Sequence, residues 1–177
     1  IKLANALAKY QGKDVVVFAL PRGGIVLGAH IARKLKAPLD LVITKKVGHP
    51  KNPDYALCAV AEEGEPTCSA SELRGIDPVW FKAEVERVRD EIKRRRKAYF
   101  GEVKQQSIVG KIAIIVDDGI ATGSTMIAAI QELRKRNPAA IVVAIPVIPH
   151  DTAKMLKSLA DDLVSLDIDK HYLGSVG

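Results

Sequence analysis

The most chemically loaded residues of this chain are two adjacent carboxylates followed at once by a turn of glycines and hydroxyls, Val116-Asp-Asp-Gly-Ile-Ala-Thr-Gly-Ser-Thr125. The start of a helix presents unpaired N–H groups and a positive dipole end, so such a turn suits an oxyanion that comes close to the backbone. Gly119, Ala121 and Gly123 leave room for the approach, and Thr122, Ser124 and Thr125 supply hydroxyls. Asp117 and Asp118 would repel a phosphate, so they must face another part of the ligand. A sugar diol satisfies them, as does Mg2+ held directly or through water. The plain alternative is that both acids only cap the helix that follows. The P-loop pattern G-x-x-x-x-G-K-[ST] is absent, because Gly119 and Gly123 are too close and Ser124 follows where a lysine is required; G-x-G-x-x-G is absent too. A nucleotide hydrolase or kinase is disfavoured on that ground.

Ile112 to Val116 reads as a buried strand, which puts the two acids at its carboxyl end, the edge where open α/β sheets bind ligands. Similar apolar runs occur at Asp14 to Leu20, Leu39 to Thr44, Ala140 to Pro146 and Leu163 to Leu166. Helical spacing lies between them at Ile25 to Lys36, Gly123 to Arg136 and Thr152 to Leu159, after a short amphipathic helix at Ile1 to Tyr10. Strands alternating with helices predict an α/β, doubly wound, mainly parallel five-stranded sheet. The first strand ends in Pro21-Arg22-Gly23-Gly24. This is either an ordinary tight turn or a second anion contact on the same edge, with Arg22 bonding phosphate oxygens and Gly23 and Gly24 admitting unusual backbone.

The rhythm breaks between residues 45 and 110, an insertion within a single domain spanning 1–177. Gly48-His49-Pro50-Lys51-Asn52-Pro53 reads as a loop, Ala56 to Ala61 can pair with Pro66 to Ala70, and Pro78 to Phe100 is a long helix with apolar positions at Val85, Val88, Ile92 and Tyr99. The insertion is a mobile lid or a solvent loop with a hairpin decoration.

The chain has 177 residues, 47% hydrophobic, with a net charge of +6; no apolar run approaches the ~20 residues of a membrane span. It begins at Ile1 and stops at Gly177 just after a motif, so further chain is expected at either end. Most of the excess charge sits in Glu86 to Lys104, where eight basic residues face four acidic ones. A solvated face is the first reading of that helix, a phosphate-rich ligand the second and nucleic acid the third. Cys58 and Cys68 fit no metal-ligand spacing and are too few for a secreted scaffold, so a reducing cytoplasm is expected. His49 and His150 read as surface or capping residues.

Val116 to Thr125 resembles the phosphoribosyl pyrophosphate motif of type I phosphoribosyltransferases, and the whole chain is similar to a group with a Leu-Pro-Arg-Gly-Gly turn at Leu20, a Lys-Val-Gly at Lys46 and a Val-Gly at Val176. The resemblance implies a cytoplasmic enzyme of nucleotide metabolism, a glycosyltransferase that uses phosphoribosyl pyrophosphate and Mg2+. It would pass the phosphoribosyl group to a nitrogenous base or other nitrogen nucleophile and release diphosphate. By that resemblance Asp117 and Asp118 bind the ribose hydroxyls, and Gly119 with Ala121, Thr122, Gly123, Ser124 and Thr125 wraps the 5-phosphate. Arg22, Gly23 and Gly24 then hold the diphosphate. Of Lys45 and Lys46, both at a strand end, the pattern points to Lys46 as the residue that neutralises the leaving group; a plain surface pair is the alternative. Tyr172 either stacks on the acceptor or is an interface or core aromatic. A homodimer is expected by analogy. The competing reading is a non-catalytic regulator that binds phosphoribosyl pyrophosphate and contacts nucleic acid through the basic helix.

Overall fold

The computed structural model describes residues 1–68, 70–101, 105–120 and 123–169, with Asp169 described as backbone only. Two compact units make up the chain: Ile1–Val42 with Gln105–Gly177, and Ile43–Lys104.

The first unit is built on a parallel five-stranded sheet of β1 (Val15–Ala19), β2 (Leu39–Leu41), β6 (Ile112–Val116), β7 (Ala140–Pro149) and β8 (Asp162–Asp169), in the order β2-β1-β6-β7-β8. Successive strand residues point to opposite faces, and in the central strands β1, β6 and β7 both faces are apolar, so these strands feed two cores. Val16, Phe18, Ala113, Ile115, Val143 and Ile145 pack with α4 (Ser124–Arg134) and α5 (His150–Leu159). Val15, Val17, Ile114, Val116, Val142 and Ala144 pack with α1 (Lys2–Ala6) and α2 (Gly24–Leu35). This is the doubly wound α/β sheet that the alternating pattern predicts. The chain leaves β1 for β2 on one side and returns to β6 on the other, so the strand order reverses between β1 and β6. In such sheets that reversal opens a crevice at the carboxyl ends.

Two carboxylates, one buried and one exposed, pin the edges of this unit. Asp40, 1% exposed, accepts from Leu41 N–H at 2.7 Å and from Gln106 N–H at 2.8 Å, tying the returning chain to β2. Asp161 accepts from Ile141 N–H at 2.7 Å and pairs with Arg134 at 2.9 Å, and the Ile141 hydrogen bond holds its carboxyl below the usual range. Among the described residues no helix is long and apolar enough to cross a membrane.

The second unit is an antiparallel sheet of β3 (Thr44–His49), β4 (Asn52–Ala61) and β5 (Thr67–Cys68) with α3 (Pro78–Phe100). The pairing expected across residues 62–65 is present, with Cys58 opposite Cys68 and Ala59 opposite Thr67. Two readings need correction. The run Leu39 to Thr44 is not one strand: β2 ends at Leu41, and Thr44 opens β3 in the other sheet. Residues 48–53 are not a loop but the tip of a hairpin, with only Pro50 and Lys51 between its strands. The pairing shifts register on both sides of Gly48, where a side chain would strike the Pro53 carbonyl oxygen.

α3 spans the expected residues, capped by Asp77, which accepts from Val79 N–H at 3.0 Å, with Pro78 in the first turn. Its buried stripe is Val85, Val88, Ile92 and Arg96, while Tyr99 is 39% exposed. The 3.6-residue period continues from Ile92 to Arg96, and a long side chain can bury its stem where its head finds partners. Here the guanidinium lies 3.8 Å from Glu62 and over the Phe100 ring.

Cys58 and Cys68 form a disulfide between β4 and β5. Because β5 holds to β4 by two residue pairs and this bond, opening it with a dithiol or by Cys68→Ser is expected to loosen β5. A cross-link closing so short a loop stabilises by about 2 to 3 kcal/mol. Faster amide exchange at Ala59 and Thr67 with a lower Tm is the expected reading; unchanged exchange would mean that packing alone holds the strand.

Candidate functional site

β1 and β6 are parallel neighbours with Ala19 opposite Val116, and Leu20 N–H donates to the Val116 carbonyl at 3.0 Å. The two sequence motifs therefore leave the sheet side by side at the crevice. After Leu20 the chain turns through a cis Pro21–Arg22 peptide, and Gly24 N–H closes the turn on the Leu20 carbonyl at 3.0 Å. Arg22 is exposed. Gly23 has an ordinary right-handed backbone, so an unusual φ is not what requires glycine there. Space is. A Cβ on Gly23 would fall on the Asp118 carboxylate, and one on Gly24 would lie 2.5 Å from the Val116 carbonyl oxygen and 3.3 Å from Asp117 Cα. The turn is pressed against both acids.

Asp117 N–H reaches the Ala144 carbonyl of β7 at 3.3 Å, and Asp117 Oδ1 accepts from Asp118 N–H at 2.8 Å. Asp117 is half-buried and Asp118 exposed. Burial pushes the Asp117 carboxyl up to about 7; the Asp118 N–H opposes this and the Asp118 carboxyl adds to it. Ile120, 8% exposed, anchors the turn in the core. Gly123 is buried at φ +83°, a left-handed conformation that favours glycine, and its carbonyl accepts from Ile127 N–H at 2.8 Å to begin α4. Ser124 and Thr125 form the first turn of α4, half-buried and exposed. Among the described residues no three of His, Cys, Asp and Glu form a cluster fit for a metal ion. Two hard carboxylates without a cage suit Mg2+, which keeps several waters and is commonly bound through one or two carboxylates and substrate phosphates.

The model of the phosphoribosyl transferase domain family matches residues 2–176. The chain belongs to that family. A Mycobacterium tuberculosis protein named "Putative phosphoribosyl transferase" is 36% identical over 167 residues, which are 93% of this chain and 38% of that protein, so this chain spans well under half the length of its curated relative. The crystal structure of TT1426 from Thermus thermophilus is 36% identical with a TM-score of 0.81, covering 98% of this chain and 83% of that one. The purine phosphoribosyltransferase of Pyrococcus horikoshii, at 18% identity and a TM-score of 0.51 over 93% of this chain and 76% of that one, shares the fold.

Other residues of this phosphoribosyl transferase domain stand elsewhere. Lys45 and Lys46 lie inside β3 rather than at the end of a parallel strand. Lys45 pairs with Glu91 of α3 at 2.5 Å, whereas Lys46, next along the strand, is exposed. His49 accepts from Lys51 N–H at 3.0 Å in the hairpin tip, and His150 opens α5. Ala121, Thr122 and Tyr172 lie outside the described residues. Thr152 and Met155 on α5 were not foreseen: a Cβ on Gly123 would come within 3.1 Å of each. No local pattern relates residues so far apart in the chain.

Ion pairs and burial also take up part of the basic helix of the domain. Arg87 pairs with Glu84 at 2.5 Å, Arg89 pairs with Glu86 at 3.1 Å and bonds the Gly64 carbonyl, and Arg96 is buried. Lys93, Arg94 and Arg95 remain exposed. Changing these three to Gln is expected to leave Tm and any retention of RNA or DNA unchanged, as for a solvated face, since surface substitutions usually stay within about 0.5 kcal/mol. A lost, steeply salt-dependent retention would instead assign the face to nucleic acid.

Proposed function

We propose that the domain binds phosphoribosyl pyrophosphate with Mg2+ and transfers the phosphoribosyl group to a nitrogen nucleophile, releasing diphosphate. The observation that supports this most is the contact of the Gly23 turn with Asp118 at the point of strand reversal. It brings a diol-binding pair and an anion-binding turn within the span of one small ligand. In this reading the Asp117 and Asp118 carboxylates accept from the ribose hydroxyls, the backbone of Gly119 and Gly123 and the hydroxyls of Ser124 and Thr125 hold the 5-phosphate, and Arg22 with the Gly23–Gly24 turn holds the diphosphate. Ala121 and Thr122 are assigned to the same phosphate turn, Lys46 to the leaving diphosphate and Tyr172 to the acceptor by the family pattern.

Asp117 and Asp118 would hold Mg2+ directly or through water, and the ion would supply positive charge against the leaving diphosphate. The bond from the ribose anomeric carbon to diphosphate oxygen breaks with both electrons going to oxygen, and the acceptor nitrogen donates its pair to that carbon. The protein's part is to hold both ends of the donor and to place positive charge where negative charge develops. The setting we propose is the cytoplasm. Disulfides such as Cys58–Cys68 persist mainly in oxidising compartments, so the redox state of this pair in cells also tests that assignment.

The test is calorimetric titration with phosphoribosyl pyrophosphate and Mg2+, followed by assay of diphosphate release over a panel of purines, pyrimidines and small amines. Binding with release for one acceptor is expected. Binding without release for any acceptor would favour the regulator, and no binding would end this reading.

A further inference from the structure

We infer that Thr152 and Met155, on the face of α5 turned toward α4, are positioning residues that set the 5-phosphate end of the ligand site by bearing on Gly123. The inference deepens the proposed function and rests on it. A side chain at Gly123 would lie 3.1 Å from the Thr152 methyl carbon Cγ2 and 3.1 Å from Met155 Cε, so the turn has room there for a hydrogen and little more. Thr152 is 7% exposed and Met155 half-buried, so these atoms form a packed floor rather than a solvent contact. The Gly123 carbonyl accepts from Ile127 N–H, so the height of Gly123 fixes where the first N–H groups of α4 point. α5 continues directly from β7, and β7 also holds Asp117 through the Ala144 carbonyl. One β7–α5 segment thus sets the distance between the diol-binding acids and the phosphate-binding turn. The diphosphate turn bears on β6 instead: a side chain at Gly24 would first meet the Val116 carbonyl, and one at Gly23 the Asp118 carboxylate.

Two probes separate the ends: ribose 5-phosphate for the turn at Gly123, and inorganic diphosphate with Mg2+ for the turn at Gly23. Thr152→Ser removes the methyl and keeps the hydroxyl; Thr152→Val does the reverse. Met155→Ala removes the floor, and Met155→Leu keeps most of its volume. Thr152→Ser and Met155→Ala are each expected to weaken ribose 5-phosphate binding about tenfold, because small misplacements of a preorganised site are costly. Diphosphate affinity should stay within about twofold for the same reason, its turn being untouched. Met155→Leu should bind both probes as the wild type does, and Thr152→Val, which keeps the methyl but gives up the hydroxyl, should lose less ribose 5-phosphate affinity than Thr152→Ser. Should Met155→Ala fail to fold, the Thr152 pair decides alone. Equal losses for both probes, or a lower Tm with both affinities intact, would make the contact merely structural and overturn the inference. Wild-type protein that binds diphosphate but no ribose 5-phosphate overturns it as well, and wild-type protein that binds neither overturns the proposed function first.

Discussion

Asp117→Asn combined with Asp118→Asn is expected to reduce affinity for phosphoribosyl pyrophosphate by about 100-fold or more, since each carboxylate removed takes away charge-assisted hydrogen bonds worth about 1.5 to 3 kcal/mol. The fold should survive, and above neutral pH it should be more stable. Burial raises the Asp117 carboxyl to about 7 in the folded chain, against roughly 3.9 when unfolded. The folded state therefore keeps its proton longer than the unfolded state, and stability falls as pH rises from about 4 to about 7, then stays flat. Asparagine has no charge to bury, so the variant should match the wild type in Tm near pH 4 and exceed it at pH 8. Asp117 is not fully buried, and water screens part of this effect, so the gain should be modest. Isothermal titration at pH 8 with thermal melts at both pH values checks the two halves together. Full affinity in the double variant would remove the acids from the site, and a lower Tm at pH 8 would mean that they hold the turn rather than wait for a ligand.

Gly24→Ala is the second large effect, and Gly23→Ala is its control. At Gly24 the new methyl meets the Val116 carbonyl oxygen and Asp117 Cα, which are backbone and cannot rotate away. Overpacking of that kind costs about 2 to 3 kcal/mol. For a chain of this length that is a fall in Tm of roughly 5 to 10 °C. At Gly23 the methyl meets the carboxylate of Asp118, a side chain at an exposed position that can swing aside. Gly23→Ala should keep Tm within about 2 °C, as surface changes usually do, yet lose about tenfold in ligand affinity through the displaced carboxylate. Adding Asp118→Gly to Gly23→Ala frees the space and should return any lost Tm without returning affinity. Equal melting losses for the two glycine variants would show that the close approach at Gly23 is as rigid as that at Gly24.

The parallel sheet was legible because its central strands are buried on both faces, and a continuous apolar run is the direct consequence of that environment. Residues 112–116 and 140–149 announce themselves in this way. The place of Asp117 and Asp118, at the end of such a run and before a glycine turn, was equally local. The second unit was harder to read. Its strands are half-exposed, so Thr44 blends into the run from Leu39, and the glycine and prolines of 48–53 suggest a loop where a register shift at Gly48 lets the strands pair. Arg96 was missed for a related reason: burial of a long cationic side chain depends on Glu62 and Phe100, and composition ranks it with the exposed residues around it.

By itself, then, the order of residues determined the fold class, the positions of the central parallel strands, the spans of the long helices and the edge of the sheet where the acids and the glycine turn must lie. These follow from interactions within a few residues of one another, namely side-chain period, capping and turn chemistry. Only the tertiary structure decided that the Pro21 to Gly24 turn presses on Asp118, that Gly23 is required for space rather than for its backbone angle, that Lys45 is held by Glu91 while Lys46 is exposed, and that Thr152 and Met155 lie under Gly123. Each of these depends on which strands become neighbours and which helix crosses which turn. That is settled by the packing of the whole sheet, and no local pattern of residues records it.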